Sequence, residues 1–244
     1  MPQSHELPAG WIDVVGTGRM GRALAAALRE AGLAARGPFG RGATAIDASV
    51  VILCVPDREI SAASAVVTSG ATVGHVSASA PLDLLAPHER FSMHPLLTVV
   101  GEGAMFAGAL CALEGSSDRS LSMARAIAVA LGMRPREISG AQRALYHAAA
   151  SAASNYVTTV LGAAERLARE VGVNRMDLEP LVRAAVSNWV ELGAGAALTG
   201  PIVRGDDVTV ARQRDAVATA APETIPFWDA LVKETRQLAN LRKS

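Results

Sequence analysis

The sequence predicts an α/β fold: a doubly wound sheet at the N-terminus, followed by an all-helical C-terminal domain. Three observations predict it. An apolar run leads through a glycine-rich turn into an amphipathic helix, strand and helix patterns then alternate to about residue 138, and beyond that point the periodicity is helical alone. The expected domains are 1–138 and 139–244, separated by a change of periodicity with no low-complexity linker between them.

The first strand is expected at residues 11 to 15 (WIDVV). Gly16-Thr17-Gly18-Arg19-Met20-Gly21 follows, and Met20, Leu24, Ala27, Leu28 and Ala31 recur at helical spacing until Gly32 stops the helix. A second strand is expected near Leu33 to Arg36. The run Val50 to Val55, closed by Pro56-Asp57, reads as a buried parallel strand. Further strands are expected at Thr72 to Ser77, Arg90 to His94 and Ala109 to Glu114. A helix from Asp118 to Leu131 would be capped by Ser116 or Ser117 and ended by Gly132. From Ser139 onward, helices are punctuated at Gly172, Gly193, Gly200-Pro201, Gly205, Pro222 and Pro226, the first running from about Gly140 to Val171.

Half of the 244 residues are apolar, and 23 basic side chains balance 23 acidic ones. That composition excludes disorder as the main state. Charge balance without a dense basic run argues against nucleic-acid or anionic-membrane binding, which rests on phosphate neutralisation. A small-molecule partner is expected. Cys54 and Cys111 sit in apolar runs and read as core residues of a reducing compartment. The N-terminal stretch has no leader pattern and no apolar run approaches the ~20 residues of a membrane span, so a cytoplasmic location is expected. Lys233 and Lys243 are the only lysines.

The glycine turn points to an adenine dinucleotide. Gly16 permits the tight turn, Gly18 lets a pyrophosphate approach the backbone, and Gly21 lets the helix pack on the strand; Thr17, Arg19 and Met20 complete the loop facing the phosphates. Twenty residues after Gly16, where an acid would favour NAD, stands Arg36, with Arg41 close behind. Arginine there suits a 2′-phosphate, so NADP is the expected cofactor. Cys54, Val55 and Pro56 end a parallel strand at the ligand-binding edge, and Ser77 ends the next.

Candidate catalytic groups lie further along. His147, Ser151 and Asn155 fall at i, i+4 and i+8 in an alanine-rich helix, with Ser154 and Thr158 on the same side. An imidazole there can donate a proton near neutral pH, while the bland alternative is close packing of small residues between helices. His94 follows a strand in SMHP. His5, His75 and His88 carry no supporting pattern, and no histidine spacing suits a catalytic metal. In the block Thr199 to Asp206, Thr199 and Arg204 are candidate substrate ligands, Arg204 offering a fork for a carboxylate. The alternative is an Arg204 ion pair with Asp206 or Asp207.

Taken together, GTGRMG, DASVVILCVPD, SMHPLLT, YHAAASAASN and LTGPIVRGD resemble the Rossmann-like proteins with a DUF2520 C-terminal domain, in the 6-phosphogluconate dehydrogenase-like superfamily. The resemblance implies an N-terminal Rossmann-type NADP-binding domain, a helical domain that dimerises, and an active cleft between them. It supplies no substrate. Its better understood relatives place a lysine on the helix after the nucleotide domain and an asparagine one turn on. Asn155 matches the asparagine, but Ser151 stands at the lysine position.

The expected function is therefore NADPH-dependent reduction of a small carboxylate-bearing carbonyl or imine. His147 would act as acid, Asn155 and Ser151 would fix the acceptor atom, and His94 would assist. Two alternatives are a ketopantoate reductase lacking the usual lysine, and a noncatalytic NADP-binding sensor.

Overall fold

The computed structural model describes residues 9–40, 42–43, 47–100 and 104–241. The chain forms two compact units, Met1–Ser154 and Asn155–Ser244.

The first unit is built on one sheet. Strand β1 (Trp11–Val15) leads into helix α1 (Arg19–Glu30), β2 (Ala35–Phe39) and β3 (Ala48–Leu53). A short helix α2 (Ile60–Ala65), β4 (Thr72–His75), β5 (Arg90–Pro95), β6 (Leu110–Gly115), α3 (Asp118–Ala130), β7 (Arg134–Glu137) and α4 (Gly140–Ser151) follow. The strand order is β2-β1-β3-β4-β5-β6-β7. Neighbours from β2 to β5 are parallel, and β6 turns antiparallel against β5 before β7 runs parallel to β6. The order reverses between β1 and β3, which creates a crevice outside their carboxyl ends.

Alternation along the strands sorts side chains onto two faces. Ile12, Val14, Val50, Ile52, Phe91, Met93, Cys111 and Leu113 share one core with Leu24 and Leu28 of α1 and Ile127 of α3. Val51, Leu53 and Val73 pack on the other face with Ile60 and Leu85. Ser117 caps α3, its hydroxyl accepting the Ser120 N–H.

Four elements depart from expectation. The second strand starts two residues later than expected and runs to Phe39. Strand β7 (RPRE) and helix α2 (ISAASA) were not expected; β7 is a short, charged edge strand, and α2 has one helical turn and a half. The long helix expected from Gly140 is interrupted. Between α4 and α5 (Val157–Arg169), residues Ala152–Tyr156 form a π-helical turn. The even four-residue spacing that put His147, Ser151 and Asn155 on one face is kept only from His147 to Ser151.

The second unit contains α5, α6 (Arg175–Ala197), α7 (Pro201–Arg204), α8 (Asp207–Ala220) and α9 (Ile225–Leu241). Gly193 leaves helical geometry at φ 75° and kinks α6, as its place among the expected breaks implies.

Candidate functional site

The glycine turn has the geometry a diphosphate needs. At Gly16, with φ of 121°, an added Cβ would lie 2.2 Å from the Cys54 carbonyl oxygen, and at Gly21 it would lie 1.8 Å from the Gly16 carbonyl oxygen. No side chain fits at either position, so strand β1, strand β3 and helix α1 converge there on bare backbone. A Cβ at Gly18 would meet nothing within 4 Å, because this residue borders open space. Gly18 also caps α1 without a side-chain hydrogen bond, and no acid occupies the first turn. The leading N–H groups of α1 are left for an anion. Thr17 and Arg19 are exposed beside them, Met20 packs against the core, and the Arg22 guanidinium bonds to the Thr17 carbonyl.

Beside the turn lies a pocket of about 240 Å³ lined by Val15, Val55, Ala62, Ala63 and Val66 together with Gly42, Ala43 and Glu59. It is mostly apolar, Glu59 apart, and occupies the carboxyl side of β1 and β3, which suits the flat face of a purine. Cys54 itself is packed beneath Gly21, and burial pushes its thiol up to about 12. It stays protonated and contributes backbone and volume, while Pro56 is exposed at the rim.

Arg36 is placed differently from expectation. It lies in register with Asp13, near the start of β2 and three residues, roughly 10 Å, short of its carboxyl end. Its Nε and Nη2 donate to the two Asp13 oxygens at 2.7 and 2.9 Å, and its guanidinium lies 5.1 Å from the Trp11 ring. Asp13 is 1% exposed, so this cation neutralises a buried carboxylate within the sheet. An aspartate in the middle of an apolar strand was the signal that such a partner was required. Arg41 lies outside the described residues.

Across the switch point, the ends of β3, β4 and β5 carry a polar network. Asp57 Oδ2 accepts the hydroxyls of Ser77 at 2.8 Å and Ser79 at 2.9 Å. Ser77 Oγ in turn accepts the Ala80 N–H, and the Ser77 N–H donates to His75 Nδ1. His75, which carried no sequence pattern, is fully buried at the end of β4, and its Nε2 has no partner. Desolvation holds its imidazole down to about 4, with the Arg143 charge adding to the effect.

Helix α4 reaches the face of β5 and β6 that carries Ser92, His94 and Glu114 through two side chains, Arg143 and Tyr146. Its anchor is Arg143, 3% exposed. Arg143 Nε donates to Glu114 Oε2 at 2.7 Å, Nη1 to the Ser77 carbonyl at 3.3 Å, and Nη2 to Ser92 Oγ. Glu114 Oε1 also accepts the Gly140 N–H at the start of α4. Ser92 and Glu114 are register partners across β5 and β6, so one guanidinium ties both strands and the β4 loop to the helix. Three residues on, the Tyr146 hydroxyl lies 2.7 Å from His94 Nδ1, the rings meeting edge to face. Burial, then the charges of His147 and Arg143, hold His94 down to about 4, against a smaller opposing effect of Asp57. His147 is exposed and Ser151 half-buried. Sequence reasoning singled out His94 and His147 as candidates but not Tyr146, Arg143 and Asp57, whose partners lie far away along the chain.

In the second unit, Asn155 and Thr199 are exposed. Arg204, at the end of α7, makes no ion pair or side-chain hydrogen bond among the described residues. The anticipated pair with Asp206 or Asp207 is not formed: Asp206 caps α8 by accepting from Thr209, and Asp207 pairs with Arg236 at 2.7 Å. Among the described residues, no helix is long and apolar enough to cross a membrane.

The fold has close structural parallels. A Bacteroides fragilis protein, provisionally assigned as an NADP oxidoreductase, superimposes with a TM-score of 0.80 at 19% identity, covering 93% of this chain and 98% of that one. Thermotoga maritima protein TM1727 gives 0.79 at 22% identity, covering 96% and 100%. An Aspergillus terreus reductive aminase, solved with NADPH and ethyl levulinate, gives 0.67 at 15% identity, covering 96% and 98%. Among curated proteins none matches. Residues 109–235, from the end of the sheet through most of the helical unit, match the family described as Domain of unknown function (DUF2520), and since that is more than half of the chain, the protein belongs to the DUF2520 family.

Proposed function

We propose that this protein is an NADPH-dependent reductase of a small substrate bearing a carboxylate beside a carbonyl or imine. The observation that carries the reading is the carboxyl edge of β1, β3, β4 and β5, where a side-chain-free diphosphate cradle and an imidazole, His94, lie on one edge. Three strand spacings separate them, roughly 14 Å. Gly16 to Gly21 would hold the pyrophosphate at the N-terminus of α1, and the pocket at Val15 and Val66 would take the adenine. Ser77, with the backbone of Cys54 to Pro56, would border the nicotinamide half. With Arg36 committed to Asp13, Arg41 is the residue assigned to a 2′-phosphate. Bound NADPH would supply the hydride; the NADPH in the reductive aminase complex supports that assignment by analogy.

The protein's own part is to orient the substrate and move a proton. His147, exposed on α4, is the proposed proton donor, with Ser151 and Asn155 fixing the acceptor atom. Arg204, with Thr199, is the proposed carboxylate ligand. Helix α6 supports assembly as a homodimer through the helical unit: none of its 23 residues is buried, and Leu181, Trp189 and Leu192 are exposed. Two free cysteines fit a reducing, cytoplasmic setting.

The test is NADPH oxidation against a panel of 2-oxo acids and cyclic imines. His147→Ala should lower turnover by about 100-fold while NADPH affinity stays unchanged. Equal loss of both would remove its assigned role. Tight NADPH binding without oxidation on any substrate would favour a sensor instead.

A further inference from the structure

His94 and Tyr146 form a unit whose chemistry narrows the substrate class. We infer that His94 acts as a neutral hydrogen-bond donor, presenting Nε2–H to the oxygen of a substrate carbonyl, and that Tyr146 is the positioning residue that fixes this tautomer. The inference rests on the reductase reading.

The hydrogen bond between Tyr146 and His94 Nδ1 is 2.7 Å long. A phenol is a stronger donor than a neutral imidazole N–H, and a bare imidazole nitrogen is a better acceptor than a phenol oxygen. The stable arrangement therefore has the Tyr146 O–H donating to a bare Nδ1, which leaves the ring proton on Nε2. The edge-to-face contact, at 83° between planes and 5.6 Å between centroids, holds the ring in that orientation. Nε2 makes no hydrogen bond among the described residues and His94 is only partly buried, which leaves Nε2 for a ligand. Burial and the neighbouring His147 and Arg143 keep the ring uncharged at neutral pH, Asp57 opposing them weakly.

A neutral donor selects its acceptor. A carbonyl oxygen offers lone pairs and gains negative charge as the carbonyl carbon accepts hydride, so the bond from Nε2–H strengthens toward the transition state. An iminium nitrogen has no lone pair to accept it. The substrate class that fits is a 2-oxo acid or similar ketone. The carbon gains a hydride from the reduced nicotinamide, which is left oxidised. The C–O π pair becomes an oxygen lone pair, and the alkoxide takes the proton of His147, which solvent replaces. His94 keeps its own proton throughout.

The test combines structure and rate. In protein labelled with 15N-histidine, the resonances that vanish in His94→Gln should show a bare Nδ1 and a protonated Nε2, unchanged from pH 8 down to 5. Tyr146→Phe should admit the second tautomer. Protonated Nδ1 in the parent protein, or titration of His94 near 6.5, overturns the inference whatever the substrate. In turnover, His94→Ala should lower kcat on 2-oxo acids by about 100-fold, with NADPH KM unchanged. His94→Gln, whose amide N–H reaches the Nε2 position, should retain more activity than His94→Asn. If the parent reduces 2-oxo acids and these variants are equally active, this inference falls and the reductase reading stands. If the parent reduces imines alone, the carbonyl assignment falls. If it oxidises no NADPH on any substrate, the reductase reading falls, and with it the role assigned here to Nε2–H.

Discussion

Arg143 in the first unit and Arg214 in the second each hold a carboxylate at 2.7 Å, yet the two pairs sit in opposite surroundings. The Arg143 side chain is 4% exposed and Glu114 25%, whereas Arg214 and Asp229 are 47% and 45% exposed. The same difference runs through the two units. Nearly all the buried hydrophobic side chains belong to the sheet unit; among the described residues, the helical unit buries only Ala163, Val210, Val217 and Ala239. One unit is a finished core in which buried charges such as Asp13 and Arg143 are paired, though His75 Nε2 is not. The other is a set of helices with apolar surface to spare, for which a second copy of the chain is the proposed cover.

The contrast is sharpest for the two ion pairs. Arg143→Met strands Glu114 beneath α4 and frees Ser92 and the Ser77 carbonyl, and should cost about 3 kcal/mol or more in chemical denaturation. Arg214→Met should cost at most about 1 kcal/mol, since solvent already screens that pair. Equal losses would break the comparison. The second largest effect is of pH. All five histidines lie in the first unit. His75 is held at about 4 in the fold, below its ordinary 6.5, so the unfolded chain binds protons more readily. Its contribution is fully present above 6.5 and is lost as pH falls through 4, amounting to about 3 kcal/mol. His94 shifts in the same direction. Unfolding free energy followed from pH 8 to 4 should fall in this window for the sheet unit, and His75→Gln should flatten the fall. Smallest in stability, though not in assembly, is Trp189→Glu on α6, which should leave the monomer fold intact and lower the molar mass measured by light scattering from dimer to monomer. An unchanged mass would mean that this face is not the contact.

The sequence disclosed what is local. The turn GTGRMG, the stop at Gly32, the cap at Ser117 and the break at Gly193 each depend on a few neighbouring residues, and each lies where its chemistry demands. Long-range pairing was not legible. Counting twenty residues from Gly16 reached Arg36, but the loop after α1 delays the second strand, so that position falls opposite Asp13 and away from the ligand edge. Arg143 and Tyr146 looked ordinary because their partners lie on β5 and β6, far along the chain, and His75 because its burial comes from the strands packed beside it. The π turn at Ala152–Tyr156 defeated a face drawn with strict α spacing. Arg41, the other basic residue weighed for the 2′-phosphate, lies outside the described residues.

The central claim is that the first βα turn binds NADPH through bare backbone. Calorimetric titration of NADPH into the parent protein and Gly21→Ala measures it directly, with chemical denaturation confirming that the variant remains folded despite an overpacking cost of about 1–3 kcal/mol. The account predicts saturable binding to the parent and none detectable to folded Gly21→Ala, whose Cβ would drive into the Gly16 carbonyl. Equal affinity in the two proteins, or no binding to the parent, would contradict it.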